Sequence, residues 1–178
     1  MRALFLLLAL GLGNADADEQ WIDRSGKAVA ETPDRRSVDG FGGHLLVTAD
    51  KDWREKWNTP PETTPEFSQA ESVGPGGEVQ ILIFFGNPRR GADNAVRVNC
   101  DLQVIRPDGT FAANERNLRC FDRPVPGPLN SIFMTDVSLK FIAEPDDPPG
   151  RWTVRAVLRD TLRTSEVPLE ASFVLDAP

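Results

Sequence analysis

Short runs of alternating apolar and polar residues, separated by proline- and glycine-rich turns, constrain the fold of this chain more than any other feature. Residues 95–105 (AVRVNCDLQVI) alternate most clearly, and a period of two predicts a half-buried β-strand. The same period in residues 151–160 and 166–175 predicts a C-terminal hairpin with a five-residue loop. Residues 78–85 (EVQILIFF) are apolar on both faces, which predicts a central strand covered on both sides.

Weaker patterns complete a strand-rich chain. Short strands are predicted at residues 44–48 and 132–143, and a weaker strand runs from residue 110 into the region of Cys120. Trp53 and Trp57 share one face of a helical turn near residues 50–57, which the prolines at 60 and 61 end. Several short strands with turns between them and no long helix predict an all-β antiparallel β-sandwich.

Three turn motifs carry a resemblance to a known architecture. Residues 74–79 (GPGGEV), 106–109 (RPDG) and 149–154 (PGRWTV) look like the strand entries and inter-strand turn of an immunoglobulin-like β-sandwich. Residues 73–175 thus resemble the exported bacterial members of that superfamily. The resemblance implies an immunoglobulin-like domain over residues 41–178. The chain has no Tyr, and no Trp lies between its two cysteines, so we carry over no antibody-type function.

The N-terminus has the pattern of a secretory signal peptide. Arg2 precedes an apolar run over residues 3–12, and Ala15 and Ala17 form a small-x-small cleavage pattern. We therefore predict a signal peptide at residues 1–17, an extended segment at residues 18–40 and a periplasmic or secreted protein. The apolar run is too short to span a bilayer as a mature anchor, so we expect no transmembrane anchor after cleavage.

Cys100 and Cys120 are the only cysteines. In an oxidising compartment an even pair predicts one structural disulfide. A redox-active pair is the alternative, but the close Cys-x-x-Cys spacing typical of such pairs is absent. Closing a loop of this size contributes about 3 kcal/mol in the chain-entropy model.

Charge and composition narrow the function classes. A net charge of -7 disfavours nucleic-acid binding, and a Ser-His-Asp or Cys-His catalytic set would have to use His44, the single histidine. Glu144, Asp146 and Asp147 lack the spacing of a calcium loop and are interpreted as a stiff turn. We expect no cofactor, no metal and no enzyme activity, although two carboxylates that meet in space stay open as catalytic groups.

The sequence therefore favours a non-enzymatic exported binding or accessory protein of the cell envelope with a protein partner. Our candidate partner contacts lie in predicted loops or short connections: Trp53, Trp57, Arg89, Arg90 and Arg163. The alternative for the two tryptophans is that both indoles fill one end of the core. The alternative function is a secreted or periplasmic inhibitor or immunity protein that blocks a toxin or hydrolase, because acidity speeds the capture of a basic enzyme.

Overall fold

The structure, a computed structural model, describes residues 21, 29–60, 65–127, 129 and 131–178. The predicted signal peptide, residues 1–17, lies outside the described residues. The described part of the chain forms these elements in order: β1 (Arg35–Val38), β2 (Phe41–Thr48), α1 (Trp53–Trp57), β3 (Ser72–Val73), β4 (Glu78–Gly86), β5 (Ala95–Ile105), β6 (Phe111–Pro124), β7 (Ile132–Met134), β8 (Leu139–Ile142), β9 (Gly150–Asp160) and β10 (Ser165–Leu175).

The strands form two sheets. The first sheet has the order β1-β2-β4-β7, with β8 also paired to β4, and the second sheet has the order β3-β10-β9-β5-β6. Every pair is antiparallel except β3 with β10. The all-β sandwich predicted from the alternating runs is therefore confirmed, and so is the short helical turn.

The core lies between the sheets and is built from the inward-facing residue of each alternating pair. Trp152 of β9 is fully buried, and its indole stacks on Phe173 while donating a hydrogen bond to the Pro148 carbonyl. At Gly43 of β2 a Cβ would lie 2.9 Å from Leu158 in the second sheet. The two sheets approach closely there because this inward position carries no side chain.

The predicted disulfide is present. Cys100 of β5 and Cys120 of β6 are fully buried and bonded, with their Cα atoms 5.8 Å apart. The bond ties neighbouring strands of the second sheet, and the β5–β6 register shifts between Val98 and Asn99, next to Cys120. The shift is a local irregularity that brings both sulfurs to the core side.

Several segment boundaries differ from the sequence prediction, and β2 begins at Phe41 instead of residue 44. Residues 132–143 were predicted as one strand but form two, β7 and β8. The chain leaves the first sheet between them, and the backbone N–H of Asp136 donates to the Cys120 carbonyl of β6 at 2.7 Å. The weak strand after residue 110 is the 14-residue β6. Strands β1 and β3 were not predicted; β1 lies within the segment 18–40 that was expected to be extended.

Candidate functional site

The outward faces of the two sheets differ in polarity. On the second sheet the outward side chains form cross-strand ion pairs, such as Arg155 with Glu170 at 2.7 Å and Arg159 with Glu166 at 2.9 Å. A solvated face of this kind is usual for an antiparallel sheet. On the first sheet the outward face is apolar where β2 and β4 meet, although Glu78 and Lys140 form an ion pair at 3.3 Å elsewhere on it. The apolar part therefore needs a cover.

The apolar outward face follows from the sequence of β2 and β4. Leu46 of β2 lies opposite Leu82 of β4, and His44 lies opposite Phe84. Leu46, Leu82, Phe84 and Trp53 of α1 are all buried and form a second apolar cluster, separate from the core between the sheets. The apolar residues on both faces of residues 78–85 had predicted a doubly covered strand, and α1 supplies part of the second cover.

The cover is incomplete and leaves an open groove of about 590 Å³, which we call the aromatic groove. Its floor is Leu46, His44 and Phe84, and the Phe84 ring centroid lies 5.3 Å from that of Trp57 and 5.6 Å from that of Phe67. Trp57 and Phe67 form one wall.

Trp21, which is far from the other lining residues in sequence, forms a second wall. Its ring meets His44 edge-on at 6.2 Å, and its indole N–H donates to the Arg36 carbonyl at 3.2 Å. Gly42 of β2 makes room for the indole, since a Cβ there would lie 3.1 Å from three atoms of the ring. Ser131 and the half-exposed Ile132 border the groove on a third side, and Thr59 and Pro65 complete the lining.

Asp50 holds together the two chain segments that carry the first wall. Its carboxylate lies 2.8 Å from the Lys56 ammonium of α1 and accepts the Ser68 backbone N–H at 2.9 Å. Burial favours the neutral acid, but the hydrogen bonds from Lys56 and Ser68 outweigh it and keep the pKa of Asp50 below its usual value. Asp50 thus links α1, which carries Trp57, to the segment that carries Phe67.

His44 is the only titratable side chain among the described lining residues. Burial lowers the pKa of His44 below 6.5, and Arg35 adds to this, while Asp34 opposes it. Its Nε2 lies 3.5 Å from the Asp34 carboxylate. The imidazole is therefore neutral at pH 7 and can offer the groove one hydrogen-bonding nitrogen.

The groove brings a serine, a histidine and an aspartate near one another without joining them as a catalytic set. Ser131 and His44 both line it, and Asp34 contacts His44. Within the described part of the chain, however, no hydrogen bond links the Ser131 hydroxyl to His44. A general base must reach the proton that it removes, so this arrangement does not show an activated nucleophile.

The structure separates the two predicted tryptophan contacts. Trp53, the first residue of α1, is buried, and its indole packs on the outward face of the first sheet. Trp57 is partly exposed and lines the aromatic groove. One indole therefore fills space in an apolar cluster, while the other faces the groove.

Arg163 lies at a loop end of the sandwich and holds three turns together. Its guanidinium donates to the carbonyls of Asp39 and, at 3.0 Å, of Asn87. Its Nε lies 3.7 Å from the carboxylate of Asp160, which is fully buried. These contacts give Arg163 a role in joining the loops.

The other two predicted arginines lie in the loop after β4. The backbone N–H of Arg89 donates to the Asp160 carboxylate at 2.6 Å, and its side chain reaches the Leu162 carbonyl at 3.4 Å. The Arg90 guanidinium donates to the Gly127 carbonyl. The three arginines thus gather at one end of the sandwich, and none of them lines the aromatic groove.

Most of the groove lining was not predicted from the sequence. Phe84 had been assigned to a covered strand, and Trp21 lies within the segment 18–40 that was predicted to be extended. The available signal was that residues 78–85 are apolar on both faces while the chain offers just one short helical turn to cover them. A sheet face with too little cover predicts an exposed apolar surface.

No group of three or more histidine, cysteine or acidic residues in the described ranges could hold a metal ion. The acidic segment predicted as a stiff turn is closed by the Glu144 N–H donating to the Asp147 carboxylate at 3.1 Å. Among the described residues, no helix is long and apolar enough to cross a membrane.

Comparison with known proteins gives no family. No family model matches the chain, and no curated protein is significantly similar to it. Among solved structures, the chain is similar to the alkylpurine DNA glycosylase AlkC of Pseudomonas fluorescens bound to DNA containing an abasic site analog (15% identity, TM-score 0.38, 75% of this chain and 29% of that chain).

It is also similar to a family 123 glycoside hydrolase of Clostridium perfringens (11% identity, TM-score 0.41, 75% of this chain and 27% of that chain). A third similar structure is a Niemann-Pick type C2 protein of the Japanese carpenter ant (10% identity, TM-score 0.39, 74% of this chain and 89% of that chain). The chain spans under a third of the first two proteins. At these TM-scores none of the three likenesses bears on fold family or activity.

Proposed function

We propose that this protein is a non-enzymatic, exported binding protein of the cell envelope, and that the aromatic groove binds an apolar small molecule. The observation that carries the proposal is the groove itself: an open, aromatic-lined cavity on the apolar part of an outward sheet face. Small-molecule sites are concave, mostly apolar and about 300–1,000 Å³ in volume, with a few polar groups. The groove, at about 590 Å³, has this size and this lining.

Export is supported by the buried disulfide between Cys100 and Cys120, because disulfides persist in oxidising compartments and are rare in the cytosol. The signal-peptide pattern at residues 1–17 supports it independently.

A binding role, in place of catalysis, is supported by the chemistry of the groove. His44 is the only titratable group in the described lining, and its contact is with Asp34 rather than with a hydroxyl. The remaining described lining residues are aromatic, aliphatic, proline, serine and threonine. Such residues provide contact area and shape for a ligand.

The protein partner expected from the sequence is the competing occupant. A typical protein interface buries about 800 Å² on each partner, and it would have to extend well beyond the groove. We favour the small molecule because the groove is concave and of a size that suits a small ligand.

N-phenyl-1-naphthylamine, an uncharged probe whose fluorescence rises in apolar surroundings, tests the proposal. We expect saturable binding to the purified protein. Ile132→Arg places a charge on the groove rim and should weaken binding by about tenfold, because a charge beside an apolar ligand must be kept solvated. Ile142→Arg is the matched control: Ile142 is 46% exposed, against 50% for Ile132, and it lies outside the groove.

Equal binding by the wild type and both variants would place the probe elsewhere and overturn the proposal. So would the absence of saturable binding to the wild type, which would leave the groove to a protein partner. Circular dichroism of both variants shows whether a loss of binding reflects a loss of fold.

A further inference from the structure

We infer that the aromatic groove selects uncharged ligands, so that a neutral apolar molecule binds and the same molecule with a formal charge in its buried part is rejected. This inference rests on the proposed function and adds the chemical class of the ligand. It depends on three features: the lack of charge in the described lining, the neutral state of His44, and the pairing of Lys56 nearby.

The described lining provides no counter-charge. Its ten residues include no Asp, Glu, Lys or Arg. Lys56, close to the first wall, is already paired, since it contacts Asp50 at 2.8 Å and Asp52 at 3.4 Å. Asp34 contacts His44 and does not itself line the groove. A charged ligand group would therefore lose its water without gaining a partner.

A neutral ligand meets no such penalty. Trp57 and Phe67 each present aromatic surface beside Phe84, with ring centroids 5.3 and 5.6 Å from the Phe84 centroid. Offset or edge-on contacts with a ligand ring are favourable at such separations. His44, neutral at pH 7, can form a hydrogen bond with an uncharged hydroxyl or carbonyl. The groove thus matches a molecule with a ring or aliphatic body and at most one or two neutral polar groups.

An organic cation is the strongest alternative, because aromatic rings attract cations and the chain carries a net charge of -7. A cation–π contact contributes far less than the cost of burying an unpaired ion, and the well-known aromatic cages enclose a small ammonium group from several sides. A groove of about 590 Å³ with one open side is much larger than such a group. Neutral ligands are therefore favoured over cations as well as over anions.

The experiment compares ligands that differ only in charge. N-phenyl-1-naphthylamine and 8-anilino-1-naphthalenesulfonate share one ring system, and the second carries a sulfonate. For cations, the displacement of the bound neutral probe is measured with 1-naphthyltrimethylammonium and with its neutral isostere 1-tert-butylnaphthalene. Each comparison is made in about 0.5 M salt, where the Debye length is roughly 4 Å, so that the net charge of the protein does not decide the result.

We expect the sulfonate and the trimethylammonium ligand each to bind at least about tenfold more weakly than the neutral counterpart. Ile132→Arg should reduce or reverse the affinity difference between the neutral probe and the sulfonate, because the introduced guanidinium can pair with the sulfonate. Ile142→Arg should leave this affinity difference unchanged.

Equal affinities for the neutral and charged members of either pair in high salt would overturn the proposed selectivity. It would also be overturned if neither arginine variant changed the affinity difference between the neutral probe and the sulfonate. In those cases the groove remains a binding site, because the neutral probe still binds there and responds to Ile132→Arg. Failure of the proposed function looks different, since the neutral probe itself then shows no saturable binding or no response at the groove rim.

Discussion

Replacing Asp101 with Asn should destabilise the fold more than removing an exposed charge from the same sheet. Asp101 of β5 is only 6% exposed. Its two oxygens accept hydrogen bonds from Arg159 at 2.8 Å each, and it also accepts from Arg116 at 3.1 Å and from the Asn117 backbone N–H at 2.8 Å. The carboxylate is therefore the shared acceptor for two guanidinium groups.

The size of the effect follows from what the substitution leaves behind. Removing one partner of a fully buried ion pair costs about 3–5 kcal/mol. The Arg159 side chain is 28% exposed and keeps Glu166 as a partner, and Arg116 is mostly exposed, so solvent offsets part of the loss. We expect Asp101→Asn to lower the free energy of unfolding by about 2–3 kcal/mol at pH 7.

The pH dependence gives a second check. The hydrogen bonds from Arg159, aided by those from Asn117 and Arg116, hold the pKa of Asp101 well below its usual range, although burial opposes them. A carboxyl with a depressed folded-state pKa contributes stability that is fully present above its unfolded pKa, near 4, and is lost as the pH falls through the folded value. The gap between wild type and Asp101→Asn should therefore narrow below about pH 4.

Urea unfolding followed by tryptophan fluorescence at pH 7 and at about pH 3 measures both effects. The control is Glu170→Gln, which removes an exposed ion pair with Arg155 from the same sheet face and should cost less than about 0.5 kcal/mol. The reasoning is refuted if the two variants cost the same at pH 7, or if the loss in Asp101→Asn is as large at acid pH as at pH 7.

Two further results are expected. Replacing Cys100 and Cys120 with Ser should lower the free energy of unfolding by about 3 kcal/mol in urea titrations, and a loss below about 1 kcal/mol would contradict the loop-closure estimate. Binding of N-phenyl-1-naphthylamine should hold at pH 7 and weaken below pH 6.5, because burial keeps the pKa of His44 under that value and protonation then puts a charge in the groove beside Asp34 and Arg35. An unchanged pH profile in His44→Gln would show that another group titrates.

Most strands were predictable from the sequence because alternation is a local property. β5, β9 and β10 lie within one residue of their predicted bounds, since each inward side chain is apolar and each is bounded by turn residues. The strand predicted at residues 132–143 was wrong as a single element. Near its middle the chain leaves the first sheet, and the Asp136 N–H donates a hydrogen bond to Cys120 of β6 in the second sheet. The alternation of apolar and polar residues carries no information about a hydrogen bond to another sheet.

The candidate site was less accessible to sequence reasoning. Trp57 was named as a contact residue, and it does line the groove, but Trp53 from the same helical turn is buried. The two indoles differ because Trp53 faces Leu46 and Leu82, while Trp57 lies at the edge of the cover. Which of two tryptophans four residues apart is exposed depends on where the helix docks.

The sequence by itself determined the strand-rich architecture, the disulfide pair and the two-faced apolar character of β4, because periodicity, cysteine count and composition are readable without knowledge of contacts. Only the tertiary structure decided that Trp21, Phe67 and Ile132 meet around Phe84. These residues come from four separate parts of the chain, and their meeting depends on strand order and register. Strand order and register are set by long-range packing, which the alternation within one strand does not reveal.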